Sequence, residues 1–148
     1  MKTRLLTFLF LQFILTAQIY PQEIGKIIGK AEANQLFGEV QSYVELDLNT
    51  AKSLLNSAGQ FIMFSIVNDR LIVLDENRNV IYPFLSDVIV NNTDVYHKYS
   101  VSKYRELLEK EHNPGSSENV KFELRAEVFS ITYGESTLEF SMGCPPNC

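Results

Sequence analysis

From residue 41 onward, apolar and polar side chains alternate in short runs separated by turn-forming residues, which is the pattern of half-buried strands. Between Gln41 and Leu48, Val44, Leu46 and Leu48 fall on one face and Glu45 and Asp47 on the other. Asn49 or Thr50 is placed to cap a short helix in which Leu54 and Leu55 turn inward, and Gly59 stops it. Phe61 to Val67 then reads as a strongly apolar strand. The dipeptide Asn68-Asp69 tolerates positive φ and predicts a tight turn into Leu71 to Leu74, and Asp75 to Asn79 predicts a looser one into Val80 to Tyr82.

The second half repeats that order. Val95 to Tyr99 reads as a strand, and Ser100 or Ser102 caps a helix through Glu111 whose apolar face carries Tyr104, Leu107 and Leu108. Residues 112–119 (HNPGSSEN) form a loop by composition. Val120, Phe122 and Leu124 then alternate with Lys121, Glu123 and Arg125. A strand follows through Phe129, Ile131 and Tyr133, a turn at Gly134-Glu135-Ser136, and a last strand through Leu138, Phe140 and Met142.

Laid over each other, the two meanders match Phe64 with Phe122, Ile66 with Leu124, Leu71 with Phe129, Val73 with Ile131, Val80 with Leu138 and Tyr82 with Phe140. His97 falls on Val44 in the preceding strands. The expected fold class is therefore α+β, with an antiparallel sheet or sheets and helices on one face. Two β-α-β-β-β units, residues 41–83 and 94–142, stand in a pseudo-twofold arrangement. Ahead of them, residues 30–37 carry good helix formers, with Gly38 where a C-cap glycine belongs. Ile24 to Ile28 is apolar, but Gly25 and Gly29 punctuate it and no element is assigned there.

The first residues change the picture. Lys2 and Arg4 precede an apolar run from Leu5 to Leu15, and Thr16-Ala17 supplies a small residue at a cleavage point. That is the order of a secretory signal peptide over residues 1–17. The run falls short of the roughly 20 apolar residues that span a bilayer, and Gln12 interrupts it, so no membrane span is expected after cleavage. The remaining residues 18–148 suit a single small domain, periplasmic or secreted.

Loss of the positive charges of Lys2 and Arg4 takes the formal net charge from −5 to −7. An acidic domain without a basic run has nothing with which to neutralise phosphates, so nucleic acid is not an expected partner. A protein or peptide partner is.

Candidate chemistry is sparse. The two cysteines, Cys144 and Cys148, close the chain as Cys-Pro-Pro-Asn-Cys. In an oxidising compartment such a pair forms a disulfide that pins the tail, closing a loop (144–148) too small to remove much unfolded-state entropy. A thiol-redox site usually sets its attacking cysteine at a helix start, and a metal site needs more ligands than two thiolates. His97 falls on an inward position, with Asp94 and Tyr99 nearby, and His112 lies in the loop. No nucleophile elbow, His-Glu-x-x-His, phosphate loop or calcium loop occurs, and no cofactor is expected.

The leading functional expectation is an exported, non-enzymatic binding module that engages a protein, peptide or envelope component through an open sheet face or edge. A thiol-redox or metal-handling protein using Cys144 and Cys148 is the second reading. A hydrolase with a site around His97, Asp94 and Tyr99 is the third.

Overall fold

The computed structural model describes residues 23–84, 88–91, 93–110, 119–126 and 128–144, apart from the side chain of Cys144. The expected signal segment 1–17, His112 and Cys148 lie outside the described residues. The chain runs β1 (Lys26–Gly29), α1 (Lys30–Phe37), β2 (Ser42–Leu46) and α2 (Leu48–Ser53), which a 3-10 turn (Leu54–Asn56) extends. It continues through β3 (Phe61–Val67), β4 (Arg70–Leu74), β5 (Val80–Tyr82), β6 (Tyr96–Ser100) and α3 (Val101–Lys110). The last described elements are β7 (Val120–Leu124), β8 (Phe129–Tyr133), β9 (Ser136–Glu139) and β10 (Met142–Cys144).

These strands form two antiparallel five-stranded sheets, in an α+β fold with three helices among the described residues. Sheet A has the order β1-β9-β8-β7-β2, and sheet B has the order β10-β6-β3-β4-β5. The two expected units are thus not separate halves. β2, from the first, pairs with β7 of the second, and β6, from the second, pairs with β3 of the first. Val44 stands opposite Phe122 and His97 stands opposite Phe64, so His97 and Val44 occupy corresponding places.

The meander registers agree over two strands. Phe64 faces Val73 as Phe122 faces Ile131, and Ile66 faces Leu71 as Leu124 faces Phe129. The third strands depart from the expected match. A bulge between Val73 and Leu74 brings Tyr82 opposite Val73, in the place that Leu138 takes opposite Ile131. A bulge inserts one extra residue on one strand, so every later side chain shifts against its partner.

Local chemistry explains most of the elements. Asp47 caps α2, its carboxylate accepting from the Thr50 backbone N–H at 3.0 Å and from the Thr50 hydroxyl at 2.6 Å. The cap therefore sits before the expected Asn49 or Thr50, because Asp47 leaves its strand one residue after Leu46. Asn68 (φ 50°) and Asp69 (φ 58°) make the β3–β4 turn, and Gly134 (φ 58°) opens the β8–β9 turn. The expected last strand is split. Phe140 adopts φ 61°, which ends β9 at Glu139, and Met142–Cys144 crosses to pair with β6 in sheet B. Cys144 thus belongs to a strand rather than to a free terminal loop.

One apolar cluster takes the inner faces of both sheets together with α2 and α3. Ile62, Phe64, Leu71 and Val73 come from sheet B, Phe122, Phe129, Ile131 and Leu138 from sheet A, and Ala51, Leu54, Tyr104, Leu107 and Leu108 from the helical elements. Phe64 is its hub, with ring centroids 5.3 Å from Phe122, 6.0 Å from Phe129 and 5.4 Å from Tyr104. The outer face of sheet B has a smaller apolar cluster of Met63, Ile72, Leu74 and Tyr96, against which Val80, Val88 and Val90 pack. The outer face of sheet A is of a different kind.

Candidate functional site: the polar face of sheet A

Period-two alternation sends every second residue of β7, β8 and β9 away from the core, and in this sheet those residues are polar. One row crosses the whole sheet through Ile28, Thr137, Thr132, Lys121 and Glu45, each facing the next across a strand pair. In the neighbouring row Lys26 faces Glu139, and Ser130, Glu123 and Tyr43 face one another in turn. Polar strand faces are ordinarily solvated. Here Glu123, Arg125, Ser130, Thr132, Thr137 and Glu139 are buried.

The cover is α1. It begins where β1 ends and lies over β1 and β9, and Ala33 is its buried residue. Arg125, at the end of β7 and fully buried, ties it down. One guanidinium nitrogen, Nη1, donates to Asn34 Oδ1 at 2.8 Å and to the carbonyl of Gly38. The other, Nη2, donates to Glu123 Oε2 at 3.1 Å, and Nε donates to the Ser130 hydroxyl at 3.1 Å. Thr132 adds a 2.9 Å hydrogen bond to the same Glu123 oxygen and meets the Thr137 hydroxyl at 3.0 Å.

Glu139 is the member left over. It is 0% exposed, neither carboxylate oxygen meets a well-aligned hydrogen-bond donor among the described residues, and Arg125 Nε stands 3.7 Å away. One guanidinium offsets one carboxylate, and Glu123 holds it at hydrogen-bonding distance. Ionising Glu139 as well would leave a net negative charge in a buried site. Burial accordingly pushes the Glu139 carboxyl up to about 7, with Ser130 and Arg125 opposing the shift and Glu123 adding to it. Near neutrality the folded protein thus favours the protonated form of this carboxyl group more than water does.

Beside the covered part, the same face opens into a polar cleft of about 290 Å³, with Thr132 in its lining next to the buried cluster. Lys30, from the first turn of α1, and Glu135 stand in its walls with Lys121, Glu45 and Asn119. Lys121 pairs with Glu45 at 3.2 Å and lies 5.0 Å from the ring centre of Tyr43. Asn119 and then Lys121, both hydrogen-bonded to Glu45, hold that carboxyl below its ordinary range. Tyr43 is 56% exposed, and β2 is one of the two edge strands of the sheet, the other being β1.

Among the described residues, His97, Asp94 and Tyr99, singled out from the sequence, lie away from this face and bond to other partners. The His97 ring stacks on Phe129 with centroids 5.1 Å apart, and its Nδ1 meets the Ser141 hydroxyl at 3.1 Å. Burial lowers its pKa from the ordinary value. Asp94 accepts from the Asn91 backbone N–H at 2.8 Å, and the Tyr99 hydroxyl donates to the Phe129 carbonyl at 2.5 Å. The three residues thus serve packing, a loop and a buried carbonyl. Cys144 lies in β10, and the cysteine pairing falls outside the described residues.

Among the described residues no group of three or more His, Cys, Asp or Glu side chains could hold a metal ion, and no helix is long and apolar enough to cross a membrane. The polar face escaped the sequence reading because Lys121, Glu123 and Arg125 look like solvent-facing positions. The available signal was a helix at residues 30–37 without a strong apolar stripe, unlike a helix that covers an apolar core. Comparison with protein-family models, with curated proteins and with solved structures finds no match to this chain.

Proposed function

We propose that the protein is an exported, non-enzymatic binding module that takes an extended segment of a protein or peptide along the β2 edge and the adjoining polar cleft of sheet A. The observation that carries this reading is the position of β2, paired with β7 on one side and outermost on the other, with its own Tyr43 exposed. An edge strand offers unpaired N–H and C=O groups to an incoming strand, and an exposed aromatic residue next to it gives an anchor. The cleft carries both signs of charge, with Lys30 and Lys121 facing Glu45 and Glu135, so a segment of mixed polar character suits it better than a greasy one.

The folded domain as bait, exposed to envelope and culture-supernatant proteins, tests this. A partner held by the wild type is expected to bind roughly tenfold or more weakly to the Tyr43→Ala/Lys121→Ala double variant. It is expected to bind unchanged to Phe84→Ala, a change at an exposed residue that follows β5 in sheet B. Equal retention by the double variant, or repeated capture of nothing, contradicts the reading.

Export rests on the basic and apolar opening from Lys2 to Ala17. With it goes oxidation of Cys144 and Cys148 to a structural disulfide. Thiol counting on denatured protein is expected to find no free thiol before reduction and both cysteines after it. Free thiols in protein recovered from outside the cytosol would count against the disulfide. A redox role draws little support, since Cys144 lies on a strand and lacks the helix N-terminus that lowers a thiol pKa.

A further inference from the structure

We propose that α1 is a proton-operated cover on the polar face of sheet A, lifting when the buried carboxyl group of Glu139 gives up its proton and settling when the proton returns. The device does not depend on which partner, if any, the β2 edge takes.

Several groups face Glu139. From β7 come Glu123 and Arg125, from β8 the Ser130 hydroxyl, and from β6 of the other sheet the Tyr99 phenol, on which Glu139 acts electrostatically. From β1 comes Lys26, directly opposite in the ladder, with its ammonium turned toward the Phe140 ring at 5.9 Å. α1 contributes the neutral Ala33 and Asn34, while its charged residues go elsewhere, Lys30 to the cleft wall and Glu32 to solvent. Among the described residues Arg125 is the cation at ion-pair distance, and Glu123 is the closer of its two carboxylates, at 3.1 Å against 3.7 Å. An ionised Glu139 would therefore share that guanidinium with Glu123, at the longer distance, unless water reached it.

Opening the sheet to supply that water would break ladder hydrogen bonds, because β9 is paired on both sides, with β1 and β8. α1 can move. It is eight residues long, its N-cap Gly29 makes no side-chain capping bond, and Ala33 is its buried residue. Phe37 meets Phe140 edge-on at 5.3 Å, the Lys30 backbone N–H donates to the Glu135 carbonyl at 2.9 Å, and the Arg125 guanidinium holds Asn34 and the Gly38 carbonyl. Ionisation of Glu139 thus acts beside the side chain that pins the helix. Proton linkage sets the size of the effect: if the lifted state returns Glu139 to its ordinary acidity, opening becomes on the order of tens-fold easier between pH 5 and pH 8.

Hydrogen–deuterium exchange of the whole protein between pH 5 and pH 8, corrected for the intrinsic pH dependence of exchange, tests this. In the wild type the opening constant of residues 31–38 is expected to rise roughly tenfold or more over that range, while β7 and β8 hold their protection. In Glu139→Gln, which keeps shape and removes the titration, it is expected to stay flat. The proposal is overturned if wild-type exchange in residues 31–38 is flat with pH, if the variant shows the same rise, or if β7 and β8 lose protection together with the helix.

Discussion

Glu139→Gln is expected to stabilise the protein by about 1–3 kcal/mol more at pH 8 than at pH 5. The unfolded chain ionises Glu139 at the ordinary value near 4.5, whereas in the folded protein the group ionises at about 7. Between these values the folded state holds a proton that the unfolded state has released. Stability contributed at low pH is therefore lost as pH rises from 4.5 through about 7, and the loss is complete above it. This is opposite in sign to a salt-bridged carboxylate, whose contribution disappears on acidification. Glutamine carries no charge at either pH, so the variant escapes the loss. Urea unfolding of both proteins at the two pH values measures it, and an equal effect at pH 5 and pH 8 would show that Glu139 is already ionised in the folded state at the lower one.

Phe64→Ala is expected to cost about 3–5 kcal/mol. Phe64 is fully buried and touches the rings of Tyr99 and Tyr104 as well as those of Phe122 and Phe129, so one truncation removes contacts on both sheets and on α3. The strands around it are fixed by their ladders, which limits how far the site can collapse around the missing ring. Against the 5–15 kcal/mol that separates folded from unfolded domains, such a loss is a large fraction of the total. Phe84→Ala, at an exposed position, is expected to stay within about 0.5 kcal/mol. Denaturant midpoints for the two variants decide the matter, and a Phe64→Ala midpoint close to wild type would contradict a shared core.

Much of this fold was legible in local pattern. The alternation at Val120, Phe122 and Leu124, the Asn68-Asp69 turn and the apolar face of Tyr104, Leu107 and Leu108 each report their own element. What local pattern cannot carry is pairing across the chain. β2 and β7 meet in register over a gap of some seventy residues, and nothing in Tyr43 or Glu45 names Glu123 or Lys121 as the facing residue. β1 was missed because Gly25 and Gly29 read as punctuation. Yet Gly25 (φ 111°) stands just before the strand, where an added Cβ would press on Leu138 and Tyr99, and Gly29 serves as the joint into α1. β10 was missed because a run toward Met142 looked continuous with β9, until the left-handed backbone at Phe140 turned the chain toward the other sheet.

The site was harder to read than the fold for the same reason. Glu123, Arg125 and Glu139 are ordinary outward positions on their strands. Only the arrival of α1, placed by the short β1 paired antiparallel with β9, makes them a buried cluster with one carboxylate more than it has cations within reach. Composition reports the charges but not which of them lose water on folding.

The charge state of that cluster can be observed directly. With glutamate labelled at the side-chain carboxyl carbon, a nuclear magnetic resonance titration assigned by comparison with Glu139→Gln is expected to give Glu139 a midpoint near 7. A midpoint at the ordinary value near 4.5 would mean that the group is solvated or paired, and that the polar face of sheet A holds no stored proton.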